Sequence, residues 1–143
     1  MSEAITKALD DIGKDRAYQY LVCLGDAIVG RVNLVDVTRA YFNRATLGYR
    51  IGQQFAGQGY ASKAVKLALE AAARDLCLSR VEAVVRPQNI GSTRVLERNG
   101  FSAFGRATRC MYFDGEWHDL LHFERHLHEA ADAPATGPAG ANA

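Results

Sequence analysis

Apolar residues recur along this chain in two rhythms. Ala61, Ala64, Val65, Ala68, Leu69, Ala72 and Leu76 follow i, i+3, i+4, i+7 spacing, which makes one buried face of a helix. Lys63, Lys66, Glu70 and Arg74 fall mostly off that stripe, so the pattern predicts a helix over residues 62–77. Its small alanines permit close packing on a sheet. Residues 80–86 carry a β-branched run with no helical period, ended by Pro87, and predict a buried strand. Residues 17–24 and 28–37 predict two strands around the hairpin-like turn Gly25-Asp26, and residues 44–51 a third. A polar connection with aromatics separates Val37 from Arg44. Residues 92–99 predict a short helix with Gly100 at its C′ position. Residues 104–113 and 117–127 predict two strands paired through Asp114-Gly115. At the N-terminus, Ile5, Ala8, Leu9 and Ile12 fall on one helical face, with Gly13 as a stop. From Glu129 onward Ala, Pro, Gly, Asp and Asn dominate, so residues 129–143 are expected to form a disordered tail.

With 143 residues, one domain over residues 1–128 is expected, and 48% hydrophobic content can supply its core. A net charge of +1 makes no case for nucleic-acid binding. The three cysteines, Cys23, Cys77 and Cys110, are widely spaced and show no metal-ligand pattern, so they are read as buried reduced thiols. No metal is expected. No apolar run reaches the roughly 20 residues that span a bilayer, and the N-terminus lacks a basic region followed by an apolar stretch. A soluble cytoplasmic protein without membrane contact is the expectation.

Candidate chemistry starts at Gln54-Phe55-Ala56-Gly57-Gln58-Gly59-Tyr60-Ala61, between a predicted strand and the long predicted helix. Two glycines one residue apart tolerate positive φ and let a bulky ligand approach the backbone. The first-turn N–H groups of the helix lack internal partners and, with the dipole, favour an anion. Phosphate or pyrophosphate is the physical reading. A P-loop is excluded because Tyr60 and Ala61, not Lys then Ser or Thr, follow Gly59. A dinucleotide loop is excluded because Ser62 stands where its third glycine belongs.

The remaining pattern, Q-x-x-G-x-G, resembles the acyl-coenzyme A loop of the GNAT acetyltransferases. A second segment, residues 89–101, reads N-I-G-S-T-R-V-L-E-R-N-G-F and is similar to that superfamily's N-x-x-S-x-x-x-x-E-K-x-G-F. Residues 113–119 resemble the G-x-W-x-D hairpin of the ribosomal-protein N-terminal-alanine (Rim-type) branch. The resemblance implies an α/β (α+β) fold: a mixed, mostly antiparallel sheet of about six strands flanked by helices. It also implies that the chain begins near the family's second helix, without the first strand and helix that build part of the acceptor site. The implied activity is direct transfer of acetyl from acetyl-CoA to a primary amine, on a protein N-terminus or a small molecule. A non-catalytic acyl-CoA-binding module or subunit is the alternative. A homodimer or larger assembly is expected from the sheet edge and apolar surface that the absent first strand and helix leave uncovered.

By the same resemblance, backbone groups of Tyr49, Arg50 and Ile51 pair with the pantetheine arm. Gln54 and the amides of Gly57, Gln58, Gly59, Tyr60 and Ala61 take the pyrophosphate. Asn89 caps the second helix, contacts the cofactor arm, or does both. Many family members place a tyrosine where Leu96 stands, and Ser92 fills the Rim-type serine slot beside the thiol. Ser92 is therefore read as the hydrogen-bond donor to the departing thiolate or as a second capping hydroxyl. The strand that carries Cys110 is expected to run beside the thioester. The base is less defined. The Rim-type glutamate slot falls at about Met111, which leaves Glu82 acting through water, with His118, Asp119 and His122 as other candidates. The Asp119 carboxylate is equally read as tying down a turn.

Overall fold

The computed structural model describes residues 3–10 and 15–127. Seven strands form one sheet in the order β1-β2-β3-β4-β5-β7-β6: β1 Glu3–Asp10, β2 Tyr18–Leu24, β3 Ala27–Thr38, β4 Arg44–Ile51, β5 Arg80–Val85, β6 Ser102–Phe113 and β7 Glu116–His126. Two α-helices, α1 Tyr60–Arg74 and α2 Ile90–Arg98, and a 3-10 turn at Gln53–Phe55 complete the described structure. Every strand pair is antiparallel except β4–β5. The mixed, mostly antiparallel α/β fold expected from the motifs is the one observed.

Two hairpins follow from their turn residues. Gly25 takes φ 62° between β2 and β3, and Asp114 and Gly115 take φ 53° and 78° between β6 and β7. Positive φ at both Asp114 and Gly115 is the type I′ signature, while positive φ at Gly25 alone suits a type II′ turn; both twists match the flanking strands. Of the stripe read for the long helix, Ala61 and Leu76 at its ends are half-buried, while Ala64, Val65, Ala68, Leu69 and Ala72 are buried, joined by Ala71. They pack against Tyr20, Val22, Val32, Leu34, Leu47 and Val81 of the sheet in one core. At its far end α2 closes in a Schellman motif, with Gly100 N–H donating to Glu97 O and Phe101 N–H to Leu96 O. Gly100 has φ 81°, and Phe101 and Leu96 are both buried.

Three expectations are corrected. The N-terminal segment read as a helix contains a strand, β1, paired with β2 from Glu3↔Leu24 to Asp10↔Tyr18. A register shift between Lys7 and Leu9 breaks strict alternation, which is why the apolar spacing there did not read as period two. Ile12 and Gly13 lie outside the described residues, as does the expected tail. This strand raises the sheet from about six strands to seven. The long helix ends at Arg74 rather than Cys77, and Cys77 adopts φ 53° beyond it, where it is exposed, as Cys110 also is, rather than buried. Finally, β7 lies between β5 and β6, so β6, which carries Cys110, is the outer strand rather than the neighbour of the central strands.

Candidate functional site

Strands β4 and β5 pair in parallel over only three residues, from Arg44↔Arg80 to Thr46↔Glu82. Beyond that point each stays with its other neighbour. β4 remains paired with β3 to Gly30↔Ile51, and β5 with β7 to Val85↔Leu121. The sheet therefore forks. The edges at Leu47–Ile51 and Ala83–Val85 face each other without a shared ladder, leaving backbone hydrogen-bonding groups directed into the opening.

Two cavities occupy the fork. The larger, about 660 Å³, lies between β4, the glycine loop and the α2 flank, and is bordered by Tyr49, Ile51, Gly57, Gly59, Tyr60 and Ser92. Arg50 and Ala61 border it as well. The smaller, about 350 Å³, lies in the fork proper, between Gly48 and Tyr49 on one side and Ala83, Val85 and Asn89 on the other.

The loop that opens α1 is built for an anion. Gly57 and Gly59 have φ 78° and 82°, and a Cβ at either would meet nothing within 4 Å, so the backbone there is open to approach. No side chain caps α1, whose N-cap is Gly59 in the left-handed region. Its first-turn N–H groups thus keep their unfilled capacity at the positive end of the dipole. A T-shaped contact between Phe55 and Tyr60, with centroids 6.1 Å apart, pins the loop across the helix start. Gln54 and Gln58 are exposed beside the loop and border neither cavity; Gln58 Nε2 donates to Gln54 O at 3.4 Å.

Helix α2 begins differently. Asn89 is its N-cap, with Oδ1 accepting from the Ser92 N–H at 3.1 Å. The capping reading of Asn89 is therefore a structural fact, and Asn89 also borders the smaller cavity. Ser92 does not cap. Its Oγ instead accepts from the Tyr49 hydroxyl at 3.1 Å. Burial pushes the Tyr49 phenol above its usual value, with the Ser92 hydrogen bond acting in the opposite direction. Leu96 is 0% exposed and belongs wholly to the core.

The remaining candidates are tied elsewhere. Glu82 stands at the last paired position of the fork, but its Oε2 accepts from Arg80 Nε at 2.8 Å and from Arg44 Nη1 at 3.4 Å. Asp119 accepts from the Arg109 N–H at 2.8 Å and from Arg106 Nη2 at 2.6 Å, anchoring the irregular stretch of β6 near Arg109. The backbone N–H first, and Arg106 next, hold its carboxyl below the usual Asp range. Its carboxylate is thus tied to an irregular stretch of strand rather than to the Asp114-Gly115 turn. His118 Nε2 lies 3.0 Å from Phe113 O, and the His122 ring stacks edge-on against Phe104. Met111 borders the smaller cavity from β6.

Three further residues did not emerge from the sequence. Arg94 and Arg98, one turn apart on α2, border the larger cavity together with Arg50 and make its wall cationic. Their i, i+4 spacing was visible, but the face they occupy was not. Asn99 ties the helices together, its Nδ2 donating to Ser62 O at 3.1 Å in the first turn of α1. Among the described residues no group of three His, Cys, Asp or Glu side chains is placed to hold a metal ion, and no helix is long and apolar enough to cross a membrane.

Comparison with known proteins agrees with this geometry. Residues 1–102 match the family model described as an acetyltransferase (GNAT) domain. The chain is 34% identical over 117 residues to a probable N-acetyltransferase, YjcK, of Bacillus subtilis, covering 80% of this chain and 65% of the relative. It is 35% identical over 92 residues to the ribosomal protein uS5 alanine N-acetyltransferase of Escherichia coli, covering 64% of this chain and 47% of the relative. The chain thus spans between about half and two thirds of these relatives' length. Among solved structures, Mycobacterium smegmatis RimJ in complex with a CoA disulfide superposes with TM-score 0.76 at 29% identity, over 83% of this chain and 57% of that one. A forked sheet, an uncapped glycine-led helix and a match over most of the chain lead to one conclusion: the chain belongs to the GNAT acetyltransferase family.

Proposed function

We propose that this chain moves an acetyl group from acetyl-CoA directly to a primary amine. The observation that carries the reading is the fork between β4 and β5, with the uncapped N-terminus of α1 at its mouth. The free edge of β4 at Tyr49, Arg50 and Ile51 suits an amide-bearing pantetheine arm, which pairs with it as a further strand. The amides from Gly57 to Ala61 receive the pyrophosphate, and Gln54 and Gln58 flank it from the loop's outer side. Arg94 and Arg98 add positive charge for the remaining phosphate. Asn89 holds Ser92 at the start of α2 and lines the path of the arm.

The chemistry then needs four supports. The arm holds the thioester in the fork. A backbone N–H on the free edge near Ile51 stabilises the tetrahedral oxyanion. Ser92 donates a hydrogen bond to the departing thiolate. A CoA thiolate resembles a cysteine thiolate, with pKa about 8.5, so one hydrogen bond suffices near neutral pH and water supplies the proton. An α-amine acceptor, with pKa about 7.7 to 8.0, keeps a sizeable neutral fraction near neutral pH. That removes the need for a strong base. In this reading Glu82 is an ion-pair member rather than the base, because Arg80 and Arg44 already occupy its carboxylate.

The second reading, an acyl-CoA-binding module without turnover, draws on the same observations: Leu96 offers no proton, and the carboxylate at the fork is committed. A thiol-release screen with acetyl-CoA, peptides beginning with alanine and small polyamines separates the two. Thiol release that depends on one acceptor class supports the transferase. Binding of acetyl-CoA without release from any acceptor supports the module.

We also propose that two copies associate. The motivation is the outer strand β6 and the exposed Tyr112, Phe113 and Trp117 at the β6–β7 hairpin end. Sedimentation equilibrium should give a mass about twice that of the chain. A single-chain mass at the highest concentration tested rejects the idea.

A further inference from the structure

Two side chains, Tyr49 and Ser92, border both cavities. They sit where the larger cavity passes into the fork. Tyr49 lies on the inward-facing row of β4 with Ala45 and Leu47, so its ring packs against the core and its hydroxyl reaches out to Ser92 Oγ at 3.1 Å. Ser92 is itself fixed, because its backbone N–H is held by Asn89 Oδ1. A serine hydroxyl has one proton and two acceptor sites. With a phenol donating to one acceptor site, the serine proton is not spent on the tyrosine. Burial keeps that phenol protonated and therefore a donor.

We propose that Tyr49 is a positioning residue for thiolate departure: its O–H donates to Ser92 Oγ and so aims the Ser92 proton at the sulfur that leaves. The inference rests on the acetyl-transfer reading given above and deepens it. No proton changes owner in this step. The carbon–sulfur bond breaks, its electron pair stays on sulfur, and the Ser92 O–H stabilises that charge until water protonates it. The phenol polarises the serine and stays a phenol. The arrangement takes the place of the tyrosine missing at Leu96, with the hydroxyl delivered from β4 rather than α2.

The test needs CoA alone and no acceptor. Thiolate absorbance of CoA bound to excess protein is titrated against pH, with the protein's own signal subtracted. In the wild type the bound thiol should ionise at lower pH than free CoA. Tyr49→Phe keeps the ring in the core and should weaken that ionisation by roughly two- to tenfold, the effect of one hydrogen bond. Ser92→Ala should do the same or more, and adding Tyr49→Phe to Ser92→Ala should change nothing further. Calorimetric CoA affinity, measured at a pH low enough that the thiol stays protonated in every case, should be equal in all four proteins, which shows that the site is intact. A Tyr49→Phe variant that binds CoA and titrates like the wild type overturns the inference and leaves the acetyl-transfer reading standing. So does full additivity of the two substitutions. A wild type that binds no CoA overturns both.

Discussion

At the residue scale, the site depends on a few positions whose backbone or hydroxyl has one task. Gly59 has φ 82° with open space around a notional Cβ. Gly59→Val therefore meets no steric wall in the free protein. It carries a left-handed strain of about 1–2 kcal/mol and places a branched side chain where the phosphate groups approach. The expected result is a far-ultraviolet spectrum that keeps its helix signal and a much weaker calorimetric affinity for acetyl-CoA. Unchanged affinity removes the loop from the binding site. Ser92→Ala should lower turnover by about 1–3 kcal/mol of lost hydrogen bonding, up to roughly a hundredfold, with cofactor affinity retained. Cys110 is exposed on the outer strand, its Sγ 3.8 Å from His118 O, a carbonyl that cannot serve as a base for thiol activation. Cys110→Ala should turn over like the wild type; an acetyl-Cys110 adduct in a mass spectrum replaces direct transfer with a two-step route.

At the element scale, the fork is held open by what lies behind β4. A bulge sets Val29 opposite no partner, since Val22 pairs with Gly30 and Cys23 with Ile28. This lets Val29 and Val32 both face the core, three residues apart. At Gly30 the strands come so close that a Cβ would lie 2.4 Å from Arg50 O and 2.7 Å from the Ile51 side chain. Gly30→Ala must therefore push β4 toward the fork. It should cost about 1–3 kcal/mol in urea unfolding and weaken acetyl-CoA binding through Arg50 and Ile51. Full stability in that variant would show that β4 yields easily and that the fork is not set by this contact.

At the scale of the whole molecule, charge pairs fasten the end of the sheet away from the loop. Arg39 reaches Asp15, Asn43 and Leu76 O, and Asn43, only 3% exposed, donates to Cys77 O and Ser79 Oγ. The Arg39 hydrogen bond is the main cause holding the Asp15 carboxyl below its usual range, and Arg80 does the same for Glu124. Asp119 is lowered by its contacts on β6. Each folded-state value lies below the unfolded one. The stabilisation is therefore complete above the ordinary values, about 3.9 for Asp and 4.3 for Glu, and is lost as pH falls through the folded values. Stability should be flat near neutrality and drop below about pH 4. Arg39→Gln should be less stable than the wild type at neutral pH, and the gap should close in acid. A gap that persists unchanged at low pH would remove the Asp15 pair from the explanation.

Much of this was determined by local sequence. The amphipathic stripe of α1, the Asp114-Gly115 turn, the Asn89 cap and the Gly57 and Gly59 geometry each follow from neighbours within a few residues, where propensity and periodicity act. The parallel placement of β4 and β5 followed from a strand–helix–strand order and the right-handed crossover rule. Other features had no local cause. Residues 3–10 became a strand because β2 offered a partner edge, against an apolar spacing that suited a helix. The insertion of β7 between β5 and β6 depended on which edge the last hairpin used. The commitment of Glu82 to two arginines joins residues as far as 38 positions apart, and the meeting of Tyr49 with Ser92 spans 43. Contacts between distant segments are decided by how sheet and helices pack, so only the tertiary structure placed two hydroxyls together at the fork.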